Sequence, residues 1–155
     1  MNAFRLLALS SLSMVAMSHS CEKQPDAAPC DGSPTAVTAQ ALPIPTGCAL
    51  AALRGETKTY VINSATELAA ATQCSSGAWP AIDFTQYTLL AGRAPMTGGA
   101  VLRTQVVEKD CQGKYTHTVA VADGPTLSPT DVDYAILVPK LPGTATVNFV
   151  VTKTR

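Results

Sequence analysis

The chain has 155 residues, of which 46% are hydrophobic and 14% charged, and its eleven basic and eleven acidic side chains give a net charge of zero at neutral pH. This length accommodates one main domain, and the lack of a basic excess argues against nucleic acid as a partner. The low charge, together with abundant Thr, Val and Ala, favours strands over helices.

Residues 1–20 have the features of a secretory signal peptide. Arg5 supplies a positive charge, residues 6–16 form a short apolar core, and small residues precede Cys21. The core is shorter than the roughly 20 residues that span a bilayer. A Cys directly after the signal resembles the bacterial lipoprotein pattern, although Ser18 stands where that pattern has an aliphatic residue. We expect Cys21 to be lipidated and to anchor the protein to a membrane of the bacterial cell envelope, with ordinary cleavage after Ser20 as the alternative.

The segment after the anchor differs in composition from the rest of the chain. Residues 21–46 are rich in Pro, Ala, Asp, Ser and Thr and show neither a helical nor a strand period. Such a composition buries too little apolar surface to fold by itself. We therefore expect a flexible lipoprotein tether over residues 21–46, followed by a single β-rich globular domain over residues 47–155.

Four cysteines follow Cys21, namely Cys30, Cys48, Cys74 and Cys111. Export places them in an oxidising compartment, where disulfide pairing is the default. Four cysteines allow three connectivities. Proximity favours Cys74 with Cys111 inside the domain and Cys30 with Cys48 in the tether. A zinc site is disfavoured because there is no C-x₂-C pair and one His in the mature chain, and we predict no cofactor.

The first half of the domain contains one strand and the clearest helical signal. Residues 57–62 (TKTYVI) have a strand composition. Ser64 is a good N-cap, and Glu67 follows at the capping-box spacing. We predict a short helix over residues 65–73, ended by residues 74–77.

The stretch WPAIDFTQYTLLAG, residues 79–92, predicts a strand that starts at Pro80 and turns at Asp83 and Phe84. Its second half, YTLLAG, is apolar on both faces. A strand buried on two sides lies in the middle of a sheet or between layers. Residues 92–97 are predicted to be a loop.

The second half of the domain alternates strands and turns. Turn residues at 110–113 separate two β-rich runs, which predicts an antiparallel hairpin. The fold class is therefore mainly β (α+β), an antiparallel sheet or small β-sandwich of about six strands with one short packed helix. The remaining predicted elements are strands over 99–109, 114–122, 133–139 and 144–153, a loop over 123–131 and a turn over 140–143.

The order of these motifs resembles a known family. The runs VINSATELAAA, PAIDFTQYTLLAG, TGGAVLRTQVV and AILVPKLPG, across residues 58–152, resemble the C-terminal domain of the small lipoprotein subunit of the spirochaetal dentilisin protease complex and related bacterial lipoproteins. The features that match are Asp83 with Phe84, Gly98 with Gly99, and Pro139 within Val-Pro-Lys. The segment before Tyr134 departs from the family. The resemblance implies a non-enzymatic accessory or stabilising role toward an exported partner.

Few residues suggest chemistry. His117 is the one histidine of the mature chain, and a general base would need an oriented nucleophile and a third group, which the sequence does not mark. We expect a strand histidine packed at the edge of the core. Asp131 and Asp133, with Asp123 upstream, could bind Ca²⁺ or act as an acid and base, but solvated turn residues are favoured.

Three further positions have a structural and a functional interpretation. Gly98 and Gly99 favour a bulge or a strand entry over close approach of another backbone. Asp83 is expected to accept backbone N–H groups in a turn rather than to bind a ligand. Trp79 is expected to pack in the core rather than to form a binding platform.

These observations leave three functional hypotheses. The first is a non-catalytic accessory module that binds or stabilises another exported protein, such as a secreted protease, through the hairpin edge and the 123–133 loop. The second is a small-ligand or carbohydrate binder, which the one Trp, four Tyr and three Phe argue against mildly. The third is a hydrolase, which one His and no catalytic motif disfavour.

Overall fold

A computed structural model describes residues 32–154, without the side chain of Thr154. Within this range the mainly β fold class is confirmed, with one short helix. The elements in chain order are β1 Thr35–Ala36, β2 Gln40–Ala41, β3 Cys48–Leu50, β4 Lys58–Ile62, α1 Ala65–Ala71, β5 Thr72–Cys74, β6 Tyr87–Met96, β7 Ala100–Lys109, β8 Tyr115–Asp123, β9 Thr130–Pro139 and β10 Val147–Thr154.

The strands form two four-stranded sheets and one small ribbon. The first sheet has the order β1-β7-β8-β10, the second β2-β9-β6-β4, and β3 pairs with β5. The two large sheets pack face to face, while the helix and several loops cover the other face of the second sheet. The second sheet is therefore the middle layer of the domain.

The ladder between β6 and β9 is the centre of this middle layer. It is antiparallel over ten residue pairs, from Tyr87 opposite Pro139 to Met96 opposite Thr130. Leu89 packs in the cluster under the helix, and its neighbour Leu90 packs in a cluster against the first sheet. Both are fully buried. The prediction that YTLLAG is buried on both faces is confirmed.

Two predictions for this region are wrong. Residues 80–86 do not extend as a strand, because Asp83 and Gln86 belong to a turn in which the Tyr87 N–H donates to the Asp83 carbonyl at 3.0 Å. The predicted loop at 92–97 is instead strand as far as Met96. Pro95 is tolerated in β6 because the pairing of β6 with β4 ends at Arg93. No ladder hydrogen bond is therefore required from the Pro95 nitrogen on the β4 side.

The helix forms as its cap predicts but is shorter. The Ser64 hydroxyl accepts from the Glu67 N–H at 3.1 Å, and the Glu67 carboxylate accepts from the Asn63 N–H. The helix ends at Ala71 instead of residue 73, because Thr72–Cys74 extends to pair with β3.

The predicted disulfide pairing of Cys74 with Cys111 and of Cys30 with Cys48 is wrong. The structure joins Cys48 to Cys74 with 4.0 Å between the Cα atoms. The two residues stand directly opposite each other in the ladder between β3 and β5, a long-range pairing that proximity in sequence does not reveal. Cys111 is also disulfide-bonded. Cys21 and Cys30 lie outside the described residues.

The predicted tether enters the fold earlier than expected. Thr35 and Ala36 pair with the end of β7, and Gln40 and Ala41 pair with β9. Leu42 and Ile44 then pack against the cluster under the helix. The expected boundary at residue 46 is therefore wrong for residues 35–46, because these residues bridge one side of the sandwich. The rest of the predicted tether, before residue 32, lies outside the described residues.

The predicted hairpin is confirmed, but the last strand is not antiparallel. β7 and β8 pair antiparallel, with an irregularity between Leu102 and Thr104. β10 pairs with β8 in parallel over its full length, from Val147 opposite Tyr115 to Thr154 opposite Ala122. The reason is a crossover, since residues 140–146 carry the chain from the second sheet to the first.

An ion pair ties the middle layer to the segment after β3. The Arg93 guanidinium forms two hydrogen bonds with the Asp133 carboxylate, at 2.6 and 2.7 Å, and a third with the Ala52 carbonyl at 3.0 Å. Asp133 also accepts from the Leu50 N–H at 3.2 Å. The pairing is largely buried. Loss of one partner would leave an uncompensated charge there.

We expect Gly92→Ala to destabilise the domain, because a Cβ at this position would lie 2.3 Å from the Tyr134 hydroxyl oxygen and 2.4 Å from Cζ. Overpacking of this kind costs about 1–3 kcal/mol. Gly143→Ala is the matched control, since a Cβ there meets nothing within 4 Å. Urea unfolding of both variants measures the difference, and equal unfolding free energies would contradict the packing of Tyr134 over Gly92.

Candidate interaction edge

The outer edge of β10 has no strand partner in the described part of the chain. β10 is the last strand of the first sheet, and β8 is its one neighbour among residues 32–154. The Tyr115 N–H donates to the Thr146 carbonyl at 3.0 Å. In a parallel ladder alternate residues direct both backbone groups to the same side, so even-numbered residues of β10 face β8. The N–H and C=O groups of Val147, Phe149, Val151 and Lys153 therefore point outward.

This edge carries few of the features that protect edge strands. Its sequence, VNFVVTKT, contains no Pro, and its ladder with β8 has no recorded irregularity. Its one charged residue, Lys153, forms an ion pair with Asp123. Natural sheets usually protect a long edge with charges, Pro or bulges. β10 thus presents a regular template on which a further strand could pair.

The side chains along the edge are apolar toward the core. Val147, Phe149 and Val151 are half-buried and pack against the clusters between the two sheets. The Phe149 ring lies 5.5 Å from the His117 ring, measured between centroids. An added strand beside β10 would cover the exposed part of these side chains as well as pair its backbone.

The loops at the opposite end of the sandwich include residues 123–133, which the sequence analysis proposed as a contact surface. The Gly99 N–H donates to the Thr126 carbonyl at 2.7 Å, and the Gly124 N–H donates to the Gly99 carbonyl at 2.6 Å. Gly98 and Gly99 thus allow the close approach of another backbone segment, residues 124–126 of the same chain, just before β7 begins at Ala100. Leu127 in this loop is 96% exposed.

The other predicted motif residues have structural roles. The Asp83 carboxylate accepts from the Thr85 N–H at 2.9 Å, as predicted, and the hydrogen bonds from Thr85 lower the pKa of Asp83. Phe84 packs against the cluster under the helix. Pro139 ends β9, and the Lys140 ammonium that follows donates to Asn63 Oδ1 at 3.1 Å. These residues do not come together in one site.

His117 is fully buried between the two sheets. Its Nε2 lies 3.2 Å from Gln105 Oε1, and the Gln105 amide donates to the Ala135 carbonyl at 3.1 Å. Because Gln105 Oε1 accepts, Nε2 carries the proton and Nδ1 is the bare nitrogen, which has no hydrogen-bond partner. The rings of Tyr134 and Phe149 stand edge-on to it. His117 is a packed strand histidine, as predicted, but it lies inside the core instead of at its edge.

The carboxylate candidates are not brought together as a metal site. Asp133 is paired with Arg93, and Asp131 accepts from the Gly55 N–H at 3.2 Å. Asp123 pairs with Lys153 at the far end of β8. Among residues 32–154, no group of three or more His, Cys, Asp or Glu side chains is placed to hold a metal ion.

A small apolar pocket lies beside residues 41–44, where the chain leaves β2. Its volume is about 170 Å³, and Leu42, Ile44, Leu102 and Tyr134 are among its lining residues. Trp79 is half-buried and packs against the cluster under the helix, in agreement with the predicted packing role.

No helix within the described residues is both long and apolar enough to cross a membrane. Comparison with family models, with curated proteins and with solved structures finds no match for the chain. The family resemblance given by the sequence motifs therefore stays a prediction. The edge of β10 and the Arg93–Asp133 pair were missed by the sequence analysis, because the choice of strand partner and a long-range ion pair leave no local pattern.

We expect acid to destabilise the domain through His117. Burial lowers the pKa of His117 to about 4, from 6.5, so the unfolded chain binds the proton more readily. The contribution is complete above pH 6.5 and is lost as the pH falls toward 4, by about 3 kcal/mol in total. Urea unfolding at several pH values measures the slope. His117→Gln should flatten it between pH 6.5 and 4, and an unchanged slope would show that other groups cause it.

Proposed function

We propose that this protein is an exported lipoprotein, held to a membrane of the cell envelope by Cys21, that acts as a non-catalytic binding module. Its partner is another exported protein, such as a secreted protease, which contributes an extended segment that pairs along the outer edge of β10. The single observation that carries this proposal is the row of outward backbone groups from Val147 to Lys153.

The backbone supports this binding mode because main-chain hydrogen bonds provide affinity without requiring a particular partner sequence. Four residues of β10 offer an N–H and a C=O each to an incoming strand. Addition of a strand to an exposed sheet edge is a recurrent mode of peptide recognition. The half-buried Phe149 and Val151 side chains next to the edge offer apolar contacts that favour an apolar segment over a charged one.

The surface beside the edge is suited to a protein partner. On the outer face of the first sheet, Val106 stands opposite Thr118, and Thr118 stands opposite Val150. Val106 is exposed and the other two are half-buried. A row of uncharged side chains continuous with a free edge provides weak apolar contact with a second protein without a strong charge preference.

The accessory role and the membrane anchor are supported by the sequence. The signal-like residues 1–20 end directly before Cys21, and the motif order resembles accessory lipoproteins of a protease complex. A Cys that carries two or three acyl chains holds a protein firmly, since each buried CH₂ adds about 0.8 kcal/mol.

We predict that Val151→Pro weakens partner capture about tenfold, whereas Val151→Ala, which loses the apolar contact but keeps the outward N–H, weakens it much less. Both variants lose the Val side chain, but the proline also removes an outward N–H and places its ring where the added strand would pair. One lost hydrogen bond of this kind is worth about 1 kcal/mol, a factor of about five, and the clash of the proline ring with the added strand weakens pairing further. Cross-linking in intact cells, followed by quantitative mass spectrometry of the detergent extract, measures the captured exported protein.

Urea unfolding shows whether the two Val151 variants are equally folded, which makes them a matched pair. Equal capture by both variants would exclude pairing at this edge. Failure to capture any exported protein with the unmodified chain would contradict the binding function itself.

We predict that the protein purified from membranes has the mass of residues 21–155 plus acyl chains on Cys21, because signal cleavage and lipidation occur at the same residue. Intact mass spectrometry of the detergent-solubilised protein makes the measurement. Cys21→Ser should move the protein to the soluble fraction. An unlipidated mass for the unmodified chain would contradict the anchor and leave the edge on β10 as a site of a freely diffusing protein.

A further inference from the structure

The side of the sandwich opposite residues 35–44 leaves apolar side chains uncovered between the two sheets. There the first sheet ends at β10 and the second ends at β4. Val61 of β4 stands opposite the fully buried Leu90, and it alternates with Tyr60 and Ile62, which pack under the helix. Because successive side chains of a strand point to opposite faces, Val61 points into the gap between the sheets, where 39% of the residue is exposed.

β10 contributes the other wall of this opening. Val147, Phe149 and Val151 are half-buried and point into the same gap. Val147 and Phe149 pack against the cluster that contains Leu90, which is the ladder partner of Val61. We call the opening between Val61 and these three residues of β10 the open mouth. All four positions are Val or Phe, so a partner that covers the open mouth removes apolar surface from water.

A cation lies at the end of the open mouth where β10 begins. The N–H of Leu141, a residue in the cluster against which Val147 packs, donates to Thr88 Oγ1 at 3.1 Å. The Thr88 hydroxyl donates to Asn63 Oδ1, which also accepts from the Lys140 ammonium at 3.1 Å. Lys140 is exposed, and among residues 32–154 its ammonium forms hydrogen bonds with Asn63 and no ion pair with a carboxylate.

The charge at the other end of the open mouth is already paired. Lys153 lies two residues beyond Val151, and its ammonium forms an ion pair with the Asp123 carboxylate. A segment that lies along β10 therefore meets a paired lysine at one end and Lys140, without a carboxylate, at the other. Opposite charges attract, so a carboxylate on the segment is favoured at the Lys140 end.

A strand added beside β10 directs every second side chain into the open mouth. Facing sheets lie about 10 Å apart, so these inward side chains can contact Phe149 or Val151 beside them and Val61 across the gap. The side chains between them point to the outer face, where Asn148 and Thr152 are polar and exposed. The site is therefore suited to a segment whose apolar residues alternate with polar ones, instead of a uniformly apolar segment.

We infer that the partner segment is an amphipathic strand, with apolar side chains at alternate positions that pack on Val61 and a carboxylate that pairs with Lys140. The inference rests on the proposed pairing at the edge of β10 and names the chemistry that this pairing selects. The carboxylate belongs either to an Asp or Glu side chain or to the C-terminus of the partner. Val61 is thereby a specificity-determining residue that contacts the partner from the second sheet, while β10 provides the hydrogen bonds.

The contact with Val61 is tested by Val61→Thr in the capture experiment on intact cells. Capture of the exported protein should weaken roughly fivefold, because the substitution places a hydroxyl among apolar side chains. Val101→Thr is the matched control and should leave capture unchanged. Val101 is a strand valine of similar exposure, 42%, but it lies in β7, which β8 separates from β10. Urea unfolding of the two variants shows whether they are equally folded.

The carboxylate is tested with a carbodiimide, which joins an amine to a carboxylate in direct contact with it. Treatment of the membrane-purified complex should couple Lys140 to the partner. The coupled Lys140 blocks trypsin, so the product contains residues 115–153 of this chain. Fragmentation of the product identifies the partner segment and shows whether the coupled group is a side chain or a chain terminus. Apolar residues should stand at alternate positions of that segment.

Two variants of Lys140 separate contact from charge. Lys140→Arg keeps the charge but has no amine to couple, so capture should be retained while the coupled product disappears. Lys140→Gln should weaken capture about two- to fivefold, because an exposed ion pair contributes little. The loss should be smaller at high salt, which screens the attraction.

The possible outcomes distinguish this inference from the proposed function. Equal capture by Val61→Thr and Val101→Thr, or a coupled segment without alternate apolar residues, would overturn the inference and leave the pairing at β10, as long as Val151→Pro still weakens capture. Unchanged capture in Lys140→Gln without any coupling to Lys140 would overturn the carboxylate. Equal capture by Val151→Pro and Val151→Ala would overturn the proposed function and this inference with it.

Discussion

The ladder between β6 and β9 is the constraint on which the rest of the structure depends. Its residues must be apolar on both faces because a sheet packs on one side and the helix, the small ribbon and loops pack on the other. Burial on two sides leaves no room for a second side chain at Gly92, where Tyr134 crosses the strand. It also requires that the buried charge of Asp133 be matched by Arg93. The residues of the middle layer are therefore required for stability, so a binding surface must lie on the outer strands.

The two sides of the sandwich differ because the chain bridges one side and leaves the other open. Residues 35–44 pass from the edge of β7 to the edge of β9 and bridge that side of the sandwich. On the other side the sheets end at β4 and β10. β4 has five residues, whereas β10 has eight and its one charge is paired. A regular edge that the described residues leave uncovered is a liability unless it is used, which is the physical basis of the proposed binding role.

Features with a local signature were predictable from the sequence. Ser64 and Glu67 located the helix, YTLLAG located the doubly buried strand, and Gly113 marked the hairpin turn, where its φ is 80°. The parallel pairing of β10 was not predictable, because alternation of side chains is the same in parallel and antiparallel strands. The bond between Cys48 and Cys74 depends on two three-residue strands that are too short to show a period. Gly92 and Pro95 suggested a loop because their tolerance within β6 arises from Tyr134 and from the end of β4.

Residue-resolved amide hydrogen exchange of β10 tests the central claim most directly. In the isolated protein the N–H groups of Asn148, Val150 and Thr152 should be protected by the ladder with β8, and those of Phe149 and Val151 should exchange rapidly. With the captured exported protein bound, Phe149 and Val151 should become protected to a similar degree, because an added strand occupies their side of β10. Protection that appears elsewhere while Phe149 and Val151 continue to exchange rapidly would contradict the account.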